Sequence, residues 1–131
     1  MEDNFKLEII SPERVIFSDE AKMVALPSYE GDMSILKNHI SIITFLRPGV
    51  IKAQKSETNF EEFFAQDGIV EYFNDSLVIL STSAINTKNL SKELIENLNK
   101  ETLKKLEEKN ITDNERYILN HKLDVLKEIR V

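Results

Sequence analysis

The sequence predicts an N-terminal β-sandwich followed by a C-terminal antiparallel hairpin of two helices. Residues 1–86 hold all three prolines, all three glycines and all seven phenylalanines of the 131-residue chain, and their apolar residues fall in short stretches separated by turn residues. Many short strands at regular spacing are typical of a sandwich or barrel. Residues 87–131 contain neither Gly nor Pro and place apolar residues at helical spacing. We therefore predict two domains, 1–86 and 87–131.

Alternation of apolar and charged side chains predicts the first strand. Phe5, Leu7 and Ile9 alternate with Lys6 and Glu8, which is the period of a half-buried strand. Other apolar stretches predict strands at residues 15–17, 23–26, 42–46, 50–53, 60–64, 69–73 and 77–80. Segments rich in turn-forming residues predict turns at 11–14 and 74–76 and a loop at 27–32.

The two helices are predicted from apolar stripes and a capping box. The first stripe consists of Leu94, Ile95, Leu98, Leu103 and Leu106, and the second of Ile118, Leu119, Leu123, Leu126 and Ile129. Between them, Thr112 precedes Glu115 by three residues, which is the spacing of a capping box at the start of a helix. Because the link is short, we expect the helices to pack antiparallel.

Charge and composition exclude several classes of function. The net charge is −6, with 7 basic and 14 acidic side chains in residues 1–86 and 10 and 9 in residues 87–131. An acidic first domain argues against nucleic acid as a partner. The chain has no cysteine, and its apolar runs are far shorter than the roughly 20 residues of a membrane-spanning helix. We therefore expect membrane association only through partner proteins.

The residues that carry chemistry do not form a recognisable catalytic or cofactor site. His39 and His121 lie in different predicted domains, outside any metal-ligand spacing. The three glycines are isolated, which excludes a glycine-rich phosphate loop, and no nucleophile-elbow motif occurs. Aromatic residues between 60 and 73 could stack on a ligand, but we expect most of them in the core. The residues alone thus offer no clear catalytic site, and we expect neither a cofactor nor a metal.

Taken together, the ordered motifs resemble the epsilon subunit of F-type ATP synthases, called delta in mitochondria. The segments that match are Ser11-Pro12-Glu13, Glu30-Gly31, His39, Leu46-Arg47-Pro48-Gly49, Gly68-Ile69-Val70-Glu71 and Leu77-Val78-Ile79-Leu80. The similarity extends over essentially the whole chain, in the order sandwich then helices. Several family positions differ here, since Ser34 replaces the second loop glycine and Lys37 and Asn38 replace a Pro-Gly pair.

The resemblance implies a non-catalytic central-stalk subunit at the cytoplasmic face of the bacterial inner membrane. It implies that the sandwich binds the gamma subunit and the membrane ring of c subunits, and that the chain couples proton-driven ring rotation to ATP synthesis. It assigns the ring-facing contact to Tyr29, Glu30, Gly31 and Asp32, with His39. The helical hairpin of many members can extend and block ATP hydrolysis. In that state the partners are the alpha and beta subunits, and contacts to acidic segments of the beta subunits are expected from Lys104, Lys105, Lys109, Arg116 and Lys122.

One property of some family members is not expected here. Those members bind ATP through a motif with Asp and Arg at the start of the first helix, where this chain has Ser91 and Leu94. Leucine cannot hold a phosphate or pair with a carboxylate, so we expect no ATP binding by this route. The alternative to the whole interpretation is a ligand-binding or adaptor β-sandwich unrelated to the synthase.

Overall fold

The computed structural model describes residues 3–129. The chain divides into two compact units, Met1–Asn86 and Thr87–Val131. Within the described residues the first unit contains ten strands and the second two α-helices, which confirms the predicted fold class. The strands are β1 Phe5–Ile10, β2 Val15–Ala21, β3 Met23–Ser28, β4 Gly31–Leu36, β5 Ile42–Leu46, β6 Gly49–Gln54, β7 Phe60–Ala65, β8 Gly68–Phe73, β9 Ser76–Leu80 and β10 Ile85–Asn86.

The strands form one continuous path that folds back on itself as a sandwich. Their order is β10-β7-β6-β3-β5-β8-β9-β1-β2, with β4 added to β3. All pairs are antiparallel except β1 with β9. β3 joins the two halves, because its first residues pair with β6 and its last residue, Ser28, pairs with Leu46 of β5. Phe17 of β2 meets Phe63 of β7 edge to face at 5.2 Å, which brings distant parts of the path together over the core.

The core confirms the alternation seen in β1. Phe5, Leu7 and Ile9 are buried, whereas the charged residues between them lie on the outer side. Among the aromatic residues between 60 and 73, Phe63, Phe64 and Tyr72 are fully buried, while Phe60 and Phe73 are exposed. Phe63 and Tyr72 belong to the sandwich core, whereas Phe64, the next residue after Phe63 on β7, lies outside it. The prediction that most of these aromatic residues fill the core is therefore wrong.

The predicted loop at residues 27–32 is wrong. Pro27 and Ser28 end β3, and Gly31 and Asp32 begin β4, so only two residues form the turn. Gly31 has a φ of 124°, a conformation that glycine adopts without steric cost, and this allows the tight reversal. β4 itself was not predicted as a strand, although its Ile35 is fully buried. The short β10 was not predicted either.

The second unit consists of α1 Lys92–Leu106 and α2 Asp113–Glu128, which pack against each other. The predicted capping box is confirmed: Thr112 Oγ1 accepts from the Glu115 amide at 3.1 Å, and the Glu115 carboxylate accepts from the Thr112 amide at 3.3 Å. Among residues 3–129, neither helix combines the length and the apolar character needed to cross a bilayer.

The buried stripe of α1 differs from the prediction at one position. Leu103 is exposed, and Thr102 is fully buried in its place. Thr102 stands seven residues after the buried Ile95, two helical turns further along the same face. Its hydroxyl donates to the Leu98 carbonyl at 2.6 Å, which satisfies the buried polar group within the helix.

Candidate interaction surfaces

The turn between β3 and β4 is fixed by a buried hydroxyl. Ser28 is fully buried, and its Oγ accepts from the Glu30 amide at 3.0 Å and from the Thr44 hydroxyl at 3.4 Å. The Tyr29 amide donates to the Phe45 carbonyl at 3.0 Å. These bonds connect the turn to β5, so Tyr29 and Glu30 project from a supported position rather than from a loose loop.

Asp32 and Arg47 form an ion pair at the same end of the sandwich. Arg47 Nη2 lies 3.1 Å from Asp32 Oδ1, and the Arg47 amide donates to the Pro27 carbonyl at 2.9 Å. The Asp32 side chain is 85% exposed, whereas that of Arg47 is only 17% exposed. The largely buried Arg47 thus binds a carboxylate that faces solvent. The ion pair connects the segment between β5 and β6 to the β3–β4 hairpin.

His39 lies at the opposite end of β4 from the other residues of the predicted ring contact. Tyr29, Glu30, Gly31 and Asp32 are at or before the start of β4, and His39 follows its end. A strand of six residues spans roughly 20 Å at about 3.3 Å per residue. The structure therefore brings four of the five predicted residues together and separates His39 from them.

His39 belongs instead to a hydrogen-bonded cluster around Tyr72. The Tyr72 hydroxyl donates to Asp75 Oδ1 at 2.7 Å, the Asn38 amide donates to the same oxygen at 3.0 Å, and the His39 ring meets Tyr72 edge to face at 5.7 Å. Burial, together with the bond to Asp75, raises the pKa of Tyr72 to about 12. The bonds from Tyr72 and Asn38 lower the pKa of Asp75. The hydrogen bonds of this cluster connect the β4–β5 loop to the β8–β9 turn. In that turn Asn74 and Asp75 both have positive φ.

An apolar row crosses the outer face of five neighbouring strands. Phe45 of β5 is in register with Ile69 of β8, Ile69 with Leu80 of β9, Leu80 with Ile10 of β1, and Ile10 with Val15 of β2. All but the half-buried Ile10 are exposed. We call these five residues the apolar row.

The apolar row borders an open groove of about 600 Å³. The groove is lined by Phe45, Ile69, Leu80 and Ile10 of the row together with Tyr29 of the β3–β4 turn, and its other walls include Leu46, Pro12 and Asp67. Sequence reasoning missed this surface, because its members come from separate strands and meet only through the strand register. Contiguous exposed apolar surface of this kind is typical of an interaction site.

The basic residues predicted to contact partner subunits differ in accessibility. Lys104, Lys105, Lys109 and Arg116 are exposed, whereas Lys122 is only 6% exposed. Burial lowers the pKa of Lys122, and the nearby charge of Lys105 lowers it further. In this arrangement of the helices Lys122 is therefore not accessible to a partner.

Ser91, at the position of the family's nucleotide-binding aspartate, has a structural role. It is the N-cap of α1, and its Oγ accepts from the Leu94 amide at 3.1 Å. A serine hydroxyl is among the favoured N-cap groups, so the residue stabilises the start of the helix.

A family model for the β-sandwich domain of the ATP synthase delta/epsilon chain matches residues 4–87. The chain belongs to the ATP synthase delta/epsilon chain family. The ATP synthase epsilon chain of Pelagibacter ubique (strain HTCC1062) is 40% identical over 130 residues, covering 98% of this chain and 99% of that protein. The epsilon chain of Sinorhizobium fredii (strain NBRC 101917 / NGR234) is 31% identical over 97 residues, covering 74% and 72%.

Solved structures share the family fold. A chain of the Euglena gracilis mitochondrial ATP synthase, from a structure of its OSCP, F1 and c-ring, aligns with a TM-score of 0.72 at 14% identity, covering 95% of this chain and 78% of that one. A chain of the central stalk and c-ring of the Tetrahymena thermophila mitochondrial ATP synthase aligns with a TM-score of 0.64 at 12% identity, covering 94% and 93%. At these identities, the similarity shows that the family's fold extends over nearly the whole chain.

Proposed function

We propose that this chain is a non-catalytic central-stalk subunit of a proton-translocating F-type ATP synthase, held by its partners at the cytoplasmic face of a bacterial inner membrane. Its role is to help transmit rotation of the c-ring to the catalytic head. Family membership and the epsilon-chain relatives support this proposal. The structural observation that best supports this role is the apolar row, because a subunit that transmits torque needs a surface that its partner subunits bind.

We assign the apolar row to the gamma subunit. Side chains such as Phe45, Ile69 and Leu80 are about half exposed and lie side by side on neighbouring strands. Removing apolar area from water contributes about 25 cal/mol per Å², so covering this row favours association. The sheet beneath the row is well packed, since Val70 and Ile79 on its inner side are fully buried.

We assign the β3–β4 turn, with Tyr29, Glu30, Gly31 and Asp32, to the c-ring. Its carboxylates and its half-exposed tyrosine offer hydrogen-bond acceptors and one aromatic surface on a rigid support. A rigid contact loses less conformational entropy on binding than a flexible loop does. His39 is at the other end of β4 and would take part in a ring contact only if the partner reached both ends of the sandwich.

The helical hairpin is proposed to regulate ATP hydrolysis. Exposed lysines and Arg116 would meet acidic segments of the beta subunits in an extended state. Such a switch requires two arrangements that differ by only a few kcal/mol. Deleting residues 87–131 should raise the ATPase activity of the assembled enzyme, and unchanged activity would eliminate the regulatory part of the proposal.

The central proposal is tested by co-purification from membranes before and after detergent. The tagged full chain should capture gamma and c subunits. Leu80→Lys places a charge in the apolar row and should reduce capture of gamma. Leu36→Lys is the matched control, since Leu36 is a similarly exposed leucine on β4, outside the row. Failure of the unaltered chain to capture either subunit would refute the synthase assignment and favour an unrelated adaptor or ligand-binding sandwich.

A further inference from the structure

We propose that Lys122 is a destabilising group within the helical hairpin, which keeps the packed helices close in free energy to a separated state. The inference deepens the proposed regulatory role of the hairpin, and it rests on that role for its effect on ATP hydrolysis. It assigns to one buried lysine part of the small free-energy difference that such a switch requires.

Lys122 occupies a position of α2 at which packed helices usually carry an apolar residue. The two buried residues of α2 are Lys122 and Leu126, which are 6% and 2% exposed. Their spacing of four residues places them on one face of the helix. On α1 the buried residues are Ile95 and Thr102. A lysine at a core position of packed helices reduces their stability.

The charges around Lys122 do not compensate for its burial. Lys105 and Glu101 act on it from α1 with opposite signs, and burial has a larger effect than either. Together they lower the pKa of Lys122 from its ordinary value of 10.5. The packed state thus disfavours the charged form that a lysine has in water at neutral pH. Whether the ammonium stays charged or releases its proton, its burial costs free energy.

Separation of the helices would remove this cost. In a separated state Lys122 would be in water, or against the acidic segments of the beta subunits that are its proposed partners. The same side chain therefore disfavours the packed hairpin and favours the extended one. An apolar residue of similar length at this position should shift the equilibrium towards the packed hairpin.

Hydrogen–deuterium exchange of the full chain, without other synthase subunits, measures how often the helices open. Lys122→Met removes the charge and keeps an unbranched, flexible side chain. We expect the protected amides of both helices to exchange about tenfold more slowly, while those of the sandwich strands are unchanged. Lys100→Met is the matched control, because Lys100 is exposed in the middle of α1. This change should alter exchange by no more than about twofold.

Unchanged or faster exchange in Lys122→Met would overturn the inference, because the buried lysine would then be neutral or stabilising. Equal slowing in Lys100→Met would also overturn it, since a general change in charge would explain both results. A double-mutant cycle tests the part played by Lys105. Lys122→Met should slow exchange less in a Lys105→Gln background, where the neighbouring like charge is already absent. Equal slowing in both backgrounds would refute the contribution of Lys105.

ATPase assays of the assembled enzyme separate this inference from the proposed regulatory role. If deletion of residues 87–131 raises the activity, Lys122→Met should raise it too, because more hairpins stay packed. If the deletion has no effect but Lys122→Met slows exchange, the regulatory role fails and the destabilising role of Lys122 stands. If the deletion raises activity but exchange is not slowed, the inference alone fails. Because exchange is measured without partner subunits, loss of a Lys122 contact to the beta subunits cannot account for slower exchange.

Discussion

Gly49→Ala is expected to destabilise the sandwich at the support of the β3–β4 turn. Gly49 begins β6 and lies directly against the ring of Pro27. A Cβ built on Gly49 would stand 2.6 Å from Pro27 Cβ and 2.7 Å from Pro27 Cγ. Ordinary carbon–carbon contacts are about 3.5–4.0 Å, so the two strands would have to separate by about 1 Å. The proline ring cannot move aside by changing rotamer, and the strain must therefore fall on the backbone.

The size of the effect follows from the usual cost of overpacking. Extra carbon atoms forced into a packed region typically cost about 1–3 kcal/mol. For a unit of this length, each kcal/mol lowers the melting temperature by about 4–8 °C. We therefore expect a decrease of roughly 8–16 °C for a cost near the middle of that range, measured by circular dichroism or calorimetry.

A double-mutant cycle tests whether the clash is the cause. Pro27→Gly removes the ring carbons that the new methyl group would meet, so the double variant should lose less stability than the two single variants together. A Gly49→Ala melting temperature within about 2 °C of the unaltered chain, on the same scale of degrees per kcal/mol, would refute the reasoning. So would strictly additive losses in the cycle.

Three further changes test other parts of the molecule. The pKa of Tyr72 is raised from its ordinary value of 10 to about 12. The stability that the neutral Tyr72 side chain contributes is therefore complete below pH 10 and is lost as the pH rises towards 12. An ultraviolet titration should show one tyrosine that ionises at unusually high pH, and Tyr72→Phe should remove that transition. Thr112→Ala should cost about 1 kcal/mol by removing the capping box, detected as faster hydrogen exchange of the first amides of α2. Gly31→Ala meets no atom within 4 Å but forces alanine to a φ of 124°, so it should cost about 1–3 kcal/mol through backbone strain alone, with a lower melting temperature as the readout.

Local signals were sufficient wherever one element determines its own structure. The alternation in β1 and the Thr112–Glu115 capping box involve residues close together in the chain, and both appear as predicted. β4 was missed although Met33 and Ile35 alternate with polar residues, because the loop predicted at residues 27–32 included its first two residues. The prediction at Leu103 failed because hydrophobicity alone does not decide which face of a helix is buried.

The candidate surfaces were less predictable because they depend on strand register. His39 and Asp32 are only seven residues apart in the chain, but β4 carries them to opposite ends of the sandwich. Conversely, Phe45 and Leu80 are distant in sequence and become neighbours of Ile69 through two strand pairings. No pattern in a single segment contains this information, since it arises only when the pairing of all strands is known.

The two proposed contacts share structural support, which bears on how force would pass through the chain. Tyr29 belongs to the β3–β4 turn and also lines the groove beside the apolar row. Its amide is bonded to Phe45, a member of that row. Force applied at the turn would therefore reach the row through a few hydrogen bonds and one strand pairing, Ser28 with Leu46, rather than across the whole sandwich. If the turn binds the ring and the row binds gamma, the remainder of the sandwich serves to keep this short connection rigid.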